Sequence, residues 1–184
     1  MKNKGFTLME MIVTVGILAI LALIAIPGFT KWMPNIKLRS ALQDMYSSIL
    51  FTRTTAIKKN SQICLVFNQP IMGTSSLFTI FKDKNRNFTY ESGLDEILAV
   101  RSYGDFDDIT YNYAGEIVDG VIVPGFFKNN QGLFAIAYRG NGFPFPPLPL
   151  PFGEEFVGCN VILINKNGKI GRVYLSVTGS IMIK

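Results

Sequence analysis

An unbroken apolar stretch near the N-terminus, residues 6–26, limits this chain more than any other feature. Its single charge is Glu10, and Pro27-Gly28 follows it. As a helix rising about 1.5 Å per residue it spans about 30 Å, the thickness of a bilayer's hydrocarbon core. A charge in the middle of such a helix costs roughly 2.5–3.5 kcal/mol on insertion scales. A carboxylate kept there implies a partner that neutralises it. Lys2 and Lys4 precede the stretch, so the positive-inside rule places the N-terminus in the cytoplasm and the remainder outside.

Two ordinary readings of the stretch fit poorly. A cleaved secretory signal needs a short apolar core and a small-x-small cleavage site. Residues 22–27 read Ala-Leu-Ile-Ala-Ile-Pro, and the apolar core is too long. A simple anchor fits the length but leaves Glu10 unexplained.

The rest of the 184-residue chain has room for one modest globular domain. The whole chain is apolar and aromatic, with 15 Phe and only 17% charged residues, which argues against disorder. There is no histidine, which excludes Ser-His-Asp, Cys-His and other histidine-based catalysis. The net charge of +5 includes Lys2 and Lys4, and without them it is +3, a weak footprint for nucleic acid. Cys64 and Cys159 have no CxxC spacing, so neither a zinc ribbon nor a thioredoxin-type site is supported. A disulfide between them would close a loop of about 95 residues, worth roughly 4–5 kcal/mol in the chain-entropy model. Two separate buried thiols are the alternative, and spacing alone leaves both open.

Beyond Pro27 the pattern turns amphipathic. Leu38, Leu42, Met45, Ile49 and Ala56 recur at three- and four-residue steps, which predicts a helix over 35–60 with one apolar stripe. Arg53, Lys58 and Lys59 read as a solvated helix end that complements the dipole. After Ser61 the period falls to two. Strands are predicted at 63–67, 77–82, 97–102, 109–113, 132–138, 160–165, 171–177 and 180–184, separated by Gly- and Asn-rich turns. The expected fold is α+β: a long N-terminal helix, half transmembrane and half amphipathic, packed on an antiparallel β-sheet or sandwich domain. The expected segments are a leader at 1–5, a transmembrane helix at 6–26, its continuation at 27–60 and a globular β domain at 61–184.

Three constellations invite chemistry. Asp83, Asn85 and Asn87 alternate as an EF-hand loop begins. The glycine and glutamate that such a loop needs are replaced by Phe88 and Leu94, so the reading is a polar turn, with calcium the alternative. Asp105, Asp107 and Asp108 read as a solvated acidic turn. Residues 142–153 hold five of the nine prolines, an extended and strongly apolar run that cannot be a central strand. It is either a rigid loop over its own sheet or a preordered surface for a partner.

Gly5-Phe6-Thr7-Leu8-Met9-Glu10 resembles the G-F-T-L-x-E signal of type IV pilins and type II secretion pseudopilins. Residues 50–65, the Phe81–Asn87 turn with Asp95-Glu96-Ile97-Leu98, the Arg139-Gly140 turn and the closing segment 165–179 are similar to the GspH/FimT-like minor (pseudo)pilins. The resemblance implies cleavage between Gly5 and Phe6 by prepilin peptidase, N-methylation of Phe6, and a helix kink at Pro27. It implies that Glu10 pairs with the N-terminal amine of a neighbouring subunit. The implied role is assembly in a secretion pseudopilus or related filament, with other pilin or pseudopilin subunits as partners. The implied place is the inner membrane, with a single pass and a periplasmic or extracellular C-terminal domain. No cofactor, small-molecule substrate or enzyme activity is implied.

FimT-like members that take up DNA carry a G-R-x-R pattern near the C-terminus. Here the matching residues are Gly179-Ser180-Ile181-Met182. Lys166, Lys169, Arg172 and Lys184 lie nearby, but the loss of both arginines removes phosphate contacts that dominate affinity. A FimT/FimU-like pilin in pilus biogenesis or DNA uptake is therefore the alternative.

Overall fold

The computed structural model describes residues 6–113, 115–118, 121–146 and 158–184. One helix runs from Leu8 to Lys59, 52 residues. Its axis turns by 52° between the arms Leu8–Ile24 and Phe29–Lys59. Pro27 lies within the helix, between the two arms. Neither arm alone is long and apolar enough to cross a membrane, whereas the bent pair together meets that test. The helix ends where Asn60 adopts a left-handed conformation and donates its N–H to the carbonyls of Ala56 and Ile57.

The distal arm owes its position to its stripe. Leu38, Ala41, Leu42, Met45, Ile49 and Ala56 are buried, as the periodicity predicts. Pro34, Ser48 and Thr52 complete the buried face. Thr52 tolerates burial because its hydroxyl donates to the Ser48 carbonyl. Three ion pairs fasten the polar edges: Lys37–Asp108 at 2.7 Å, Asp44–Arg101 at 2.8 Å and Lys59–Glu96 at 2.8 Å.

Two antiparallel sheets receive the stripe. The larger runs, edge to edge, Pro144–Phe145, Phe134–Tyr138, Ile63–Phe67, Phe78–Lys82, Glu96–Arg101, with Phe127–Lys128 also paired to Phe134–Tyr138. The smaller runs Ile181–Ile183, Ile170–Leu175, Cys159–Asn165, Ile109–Asn112. The helix and both inner sheet faces enclose one core, with Ile63, Leu65, Phe67, Ile136, Tyr138, Val161 and Leu163 at its centre. The outer face of the larger sheet has its own cluster, Cys64, Val66, Phe81, Phe88, Ala135 and Ala137. Strand Ile63–Phe67 is therefore buried on both faces, which explains its unbroken run of apolar residues. The α+β architecture expected from the sequence is the one observed.

Several short elements depart from expectation. Hairpins form at Pro70–Ile71 with Thr74–Ser75 and at Gly115–Val118 with Val121–Pro124. Pro144–Phe145 makes a two-residue strand at the sheet edge, the one place a proline costs no ladder bond. Residues 147–153 of the proline-rich run lie outside the described residues.

Arg53 is not part of a solvated helix end. It is half-buried, and its Nη1 donates to the Gly179 carbonyl at 2.8 Å, tying the helix to the last turn of the chain. The Arg139-Gly140 turn also has a packing reason. A Cβ on Gly140 would lie 2.2 Å from Asn60 Oδ1 and 3.1 Å from the Asn60 backbone, so only glycine lets the turn close over the helix end.

Candidate functional site

Phe6 and Thr7 precede the helix, which starts at Leu8. Thr7 is extended (φ −80°, ψ 151°), and its Oγ1 accepts from the Glu10 N–H at 3.3 Å. Thr7-Leu8-Met9-Glu10 has the spacing of a capping box, so threonine satisfies an orphan donor while a carboxylate sits in the first turn. The positive end of the helix dipole favours a negative charge at that place. Gly5 itself is outside the described residues, and Phe6 is 76% exposed.

Glu10 is exposed, as is every described side chain between Phe6 and Trp32. Among the described residues no cation comes within ion-pair distance of it. The proximal arm therefore presents a continuous apolar surface with one carboxylate near its start. Such a surface has two stable surroundings, lipid or other helices. Packed among other helices, a buried Glu10 calls for a counter-charge from outside its own helix, whereas in lipid its side chain can snorkel to the interface.

The other candidates resolve differently. The loop after Phe78–Lys82 does not gather its oxygens on one point. Asp83, 3% exposed, turns inward and accepts from the backbone N–H groups of Arg86 at 2.6 Å and Phe88 at 2.9 Å. It also accepts from Gln62 Nε2 at 2.7 Å and the Cys64 thiol at 3.4 Å. Asn85 and Asn87 donate their amides to Glu91, and Asp95 accepts from the N–H groups of Lys84 and Glu91. All six oxygens of Asp83, Glu91 and Asp95 thus face hydrogen-bond donors. Among the described residues no group of three or more His, Cys, Asp or Glu side chains could hold a metal ion.

The disulfide alternative is not formed. Cys64 and Cys159 are free, buried thiols. Strand alternation is the reason: Cys64 points to the outer face of the larger sheet, opposite to Ile63 and Leu65, whereas Cys159 faces the main core. Burial pushes both thiols well above their usual range, and Asp83 adds to the shift at Cys64.

Asp108 is more than a member of a solvated acidic turn. Lys37 donates to it, and Lys166 approaches it at 3.7 Å. The hydrogen bond from Lys37 lowers the Asp108 pKa, and the same bond raises that of Lys37. The Asn165–Gly168 turn reaches the helix, where Asn165 Nδ2 donates to Asn35 Oδ1 at 3.1 Å. Lys166 and Lys169 stand exposed beside that contact, and the backbones of Arg172 and Lys184 pair across the last two strands. The basic residues weighed for DNA therefore sit at the end of the domain where the proximal arm departs. Sequence reading gave no role to Trp32, which is 61% exposed at that place. Its position, a few residues after an apolar span, was the available signal.

Residues 1–26 match the family model of the prokaryotic N-terminal methylation motif, the signature of type IV pilin and pseudopilin precursors. No curated protein and no solved structure matches the chain. The motif marks a structural subunit anchored to a membrane by its N-terminal helix.

Proposed function

We propose that this chain is the precursor of a minor, GspH-like pseudopilin of a type II secretion pseudopilus or a related type IV pilus-like filament. Prepilin peptidase cuts between Gly5 and Phe6, and the new amine of Phe6 is methylated. Residues 6–26 hold the subunit in the inner membrane in a single pass, with the β domain on the periplasmic side. Assembly then withdraws the helix from lipid into a bundle of neighbouring helices. The observation that carries this reading is Glu10, exposed in the first turn of a bare apolar arm, four residues after the new amine. Pairing with a neighbour's amine removes the cost of the buried charge and fixes the axial register of one helix against the next.

The test is Glu10→Gln in the full chain, expressed with the secretion or pilus subunits of its own genome. Cleavage and membrane insertion stay at wild-type levels, while incorporation into filaments falls by an order of magnitude or more. Wild-type incorporation by the variant refutes the role of Glu10. Failure to cleave after Gly5 refutes the precursor reading itself. A FimT/FimU-like role in pilus biogenesis or DNA uptake is the second reading, and the cations at Lys166, Lys169, Arg172 and Lys184 favour it. It calls for a salt-dependent shift of duplex DNA by the purified chain.

A further inference from the structure

An open groove of about 460 Å³ runs between the distal arm, just past the bend, and the last two strands. Trp32 and Ile36 form its apolar side from the helix, and Ile183 contributes from the last strand. Arg39, Lys169 and Lys184 supply three cations along it, and no Asp or Glu side chain is among its described lining residues. None of these three cations takes part in an ion pair among the described residues. Asp44 and Asp108 are engaged elsewhere, with Arg101 and Lys37.

We propose that this groove seats the headgroup of an anionic phospholipid from the leaflet that the helix leaves. The inference rests on the reading of residues 6–26 as a membrane span. Phosphate is held by Arg39, Lys169 and Lys184, while Trp32 and Ile36 lie against the glycerol and upper acyl region. Tryptophan favours this interfacial depth because its ring is apolar and its N–H finds a polar partner.

Two further observations choose this occupant. The first is depth. Arg39 lies about 20 Å along the helix from Ile26 at 1.5 Å per residue. The 52° turn of the axis lowers that height if the proximal arm stands upright. It brings Arg39 to about 12 Å above the hydrocarbon boundary, where a long side chain reaches a headgroup layer about 5–8 Å thick. The second is continuity. Past the proximal arm, exposed apolar side chains continue at helical spacing, Phe29, Trp32 and Ile36, onto the apolar side of the groove. Duplex DNA, about 20 Å wide, would have to enter between the domain and the bilayer to reach the same cations.

The experiment uses the full chain in nanodiscs of phosphatidylcholine alone or with phosphatidylglycerol as the minor component. Co-elution with the discs scores insertion. Lysines are labelled with a water-soluble amine reagent and read by mass spectrometry, with Lys58 and Lys84 as distal reference sites. Labelling of Lys169 and Lys184 is expected to fall several-fold in the anionic discs and not in the neutral ones. The protection disappears in Arg39→Glu and weakens in high salt. Equal labelling in both lipids overturns the proposal, as does protection in neutral discs that rises with the number of chains per disc, the mark of a second copy. Protection unchanged by Arg39→Glu also overturns it. A chain that never co-elutes with discs overturns the membrane reading, and this proposal with it.

Discussion

The two arms of the N-terminal helix share a backbone and differ in what they touch. Along Leu8–Ile24 every side chain is exposed. Along the distal arm, burial alternates with the helical period. A continuous apolar surface has no inside within its own chain, so its stability is set by its surroundings. The striped surface has its solvent already, in two sheets. Helix formation here therefore says little about function, and the contact pattern along the helix says most of it.

The largest effect should come from breaking the distal arm. Ile49 is fully buried at the centre of the stripe, and Ile49→Ala should cost about 2–5 kcal/mol in denaturant unfolding of the full chain in detergent. Ile17→Ala, the matched change on the proximal arm, should stay within about 0.5 kcal/mol because Ile17 is exposed. Equal losses at both positions would erase the distinction between the arms. Next in size is Asp83→Ala, which orphans several buried donors at once. A loss of about 2–4 kcal/mol is expected, with addition of calcium making no difference to either protein.

A smaller effect of opposite sign is expected at Tyr138. Its ring is fully buried, and among the described residues its hydroxyl has no hydrogen-bond partner. Tyr138→Phe should raise stability by about 1 kcal/mol, measured as a shift in the denaturant midpoint at constant slope. A loss of stability would reveal a partner for the hydroxyl.

The smallest effect concerns pH at the junction of the arms. The hydrogen bond with Lys37 lowers the Asp108 pKa. Its contribution is present above the unfolded value near pH 4 and lost as pH falls through the folded value. Lys37 is raised, so its share is present below the ordinary lysine value and lost as pH rises through the folded one. Asp108→Asn should flatten both the acid limb of stability below about pH 4 and the alkaline limb above the ordinary lysine value, and leave the profile between them parallel to wild type. An unchanged acid limb would assign that limb to other carboxylates.

What the sequence made legible followed its strongest periods. The stripe from Leu38 to Ala56 was readable because five apolar residues repeat at helical spacing. The eight main strands were readable because β-branched and aromatic runs lie between glycine and asparagine turns. The short hairpins were not, since two residues carry no period. Arg53 was misread because its acceptor, the Gly179 carbonyl, lies 126 residues away, and no local pattern encodes it. The loop at Asp83 was half legible. Its spacing suggested converging oxygens, but the φ values of Arg86 at 62° and Phe88 at 61° aim backbone N–H groups at the carboxylate instead. Glu10 stands out from one letter because a charge in an apolar run is a cost that needs a reason.

The separation of the two thiols has a consequence for where the domain can be made. Cys64 lies on the outer face of the larger sheet and Cys159 on the smaller sheet, facing the main core, and both are buried and held in the protonated form. The fold sets no redox condition. It needs no oxidant or isomerase to mature and loses nothing to a reductant, so the melting curve should superimpose with and without dithiothreitol. A subunit built this way can reach its final shape on either side of a membrane that separates a reducing from an oxidising compartment.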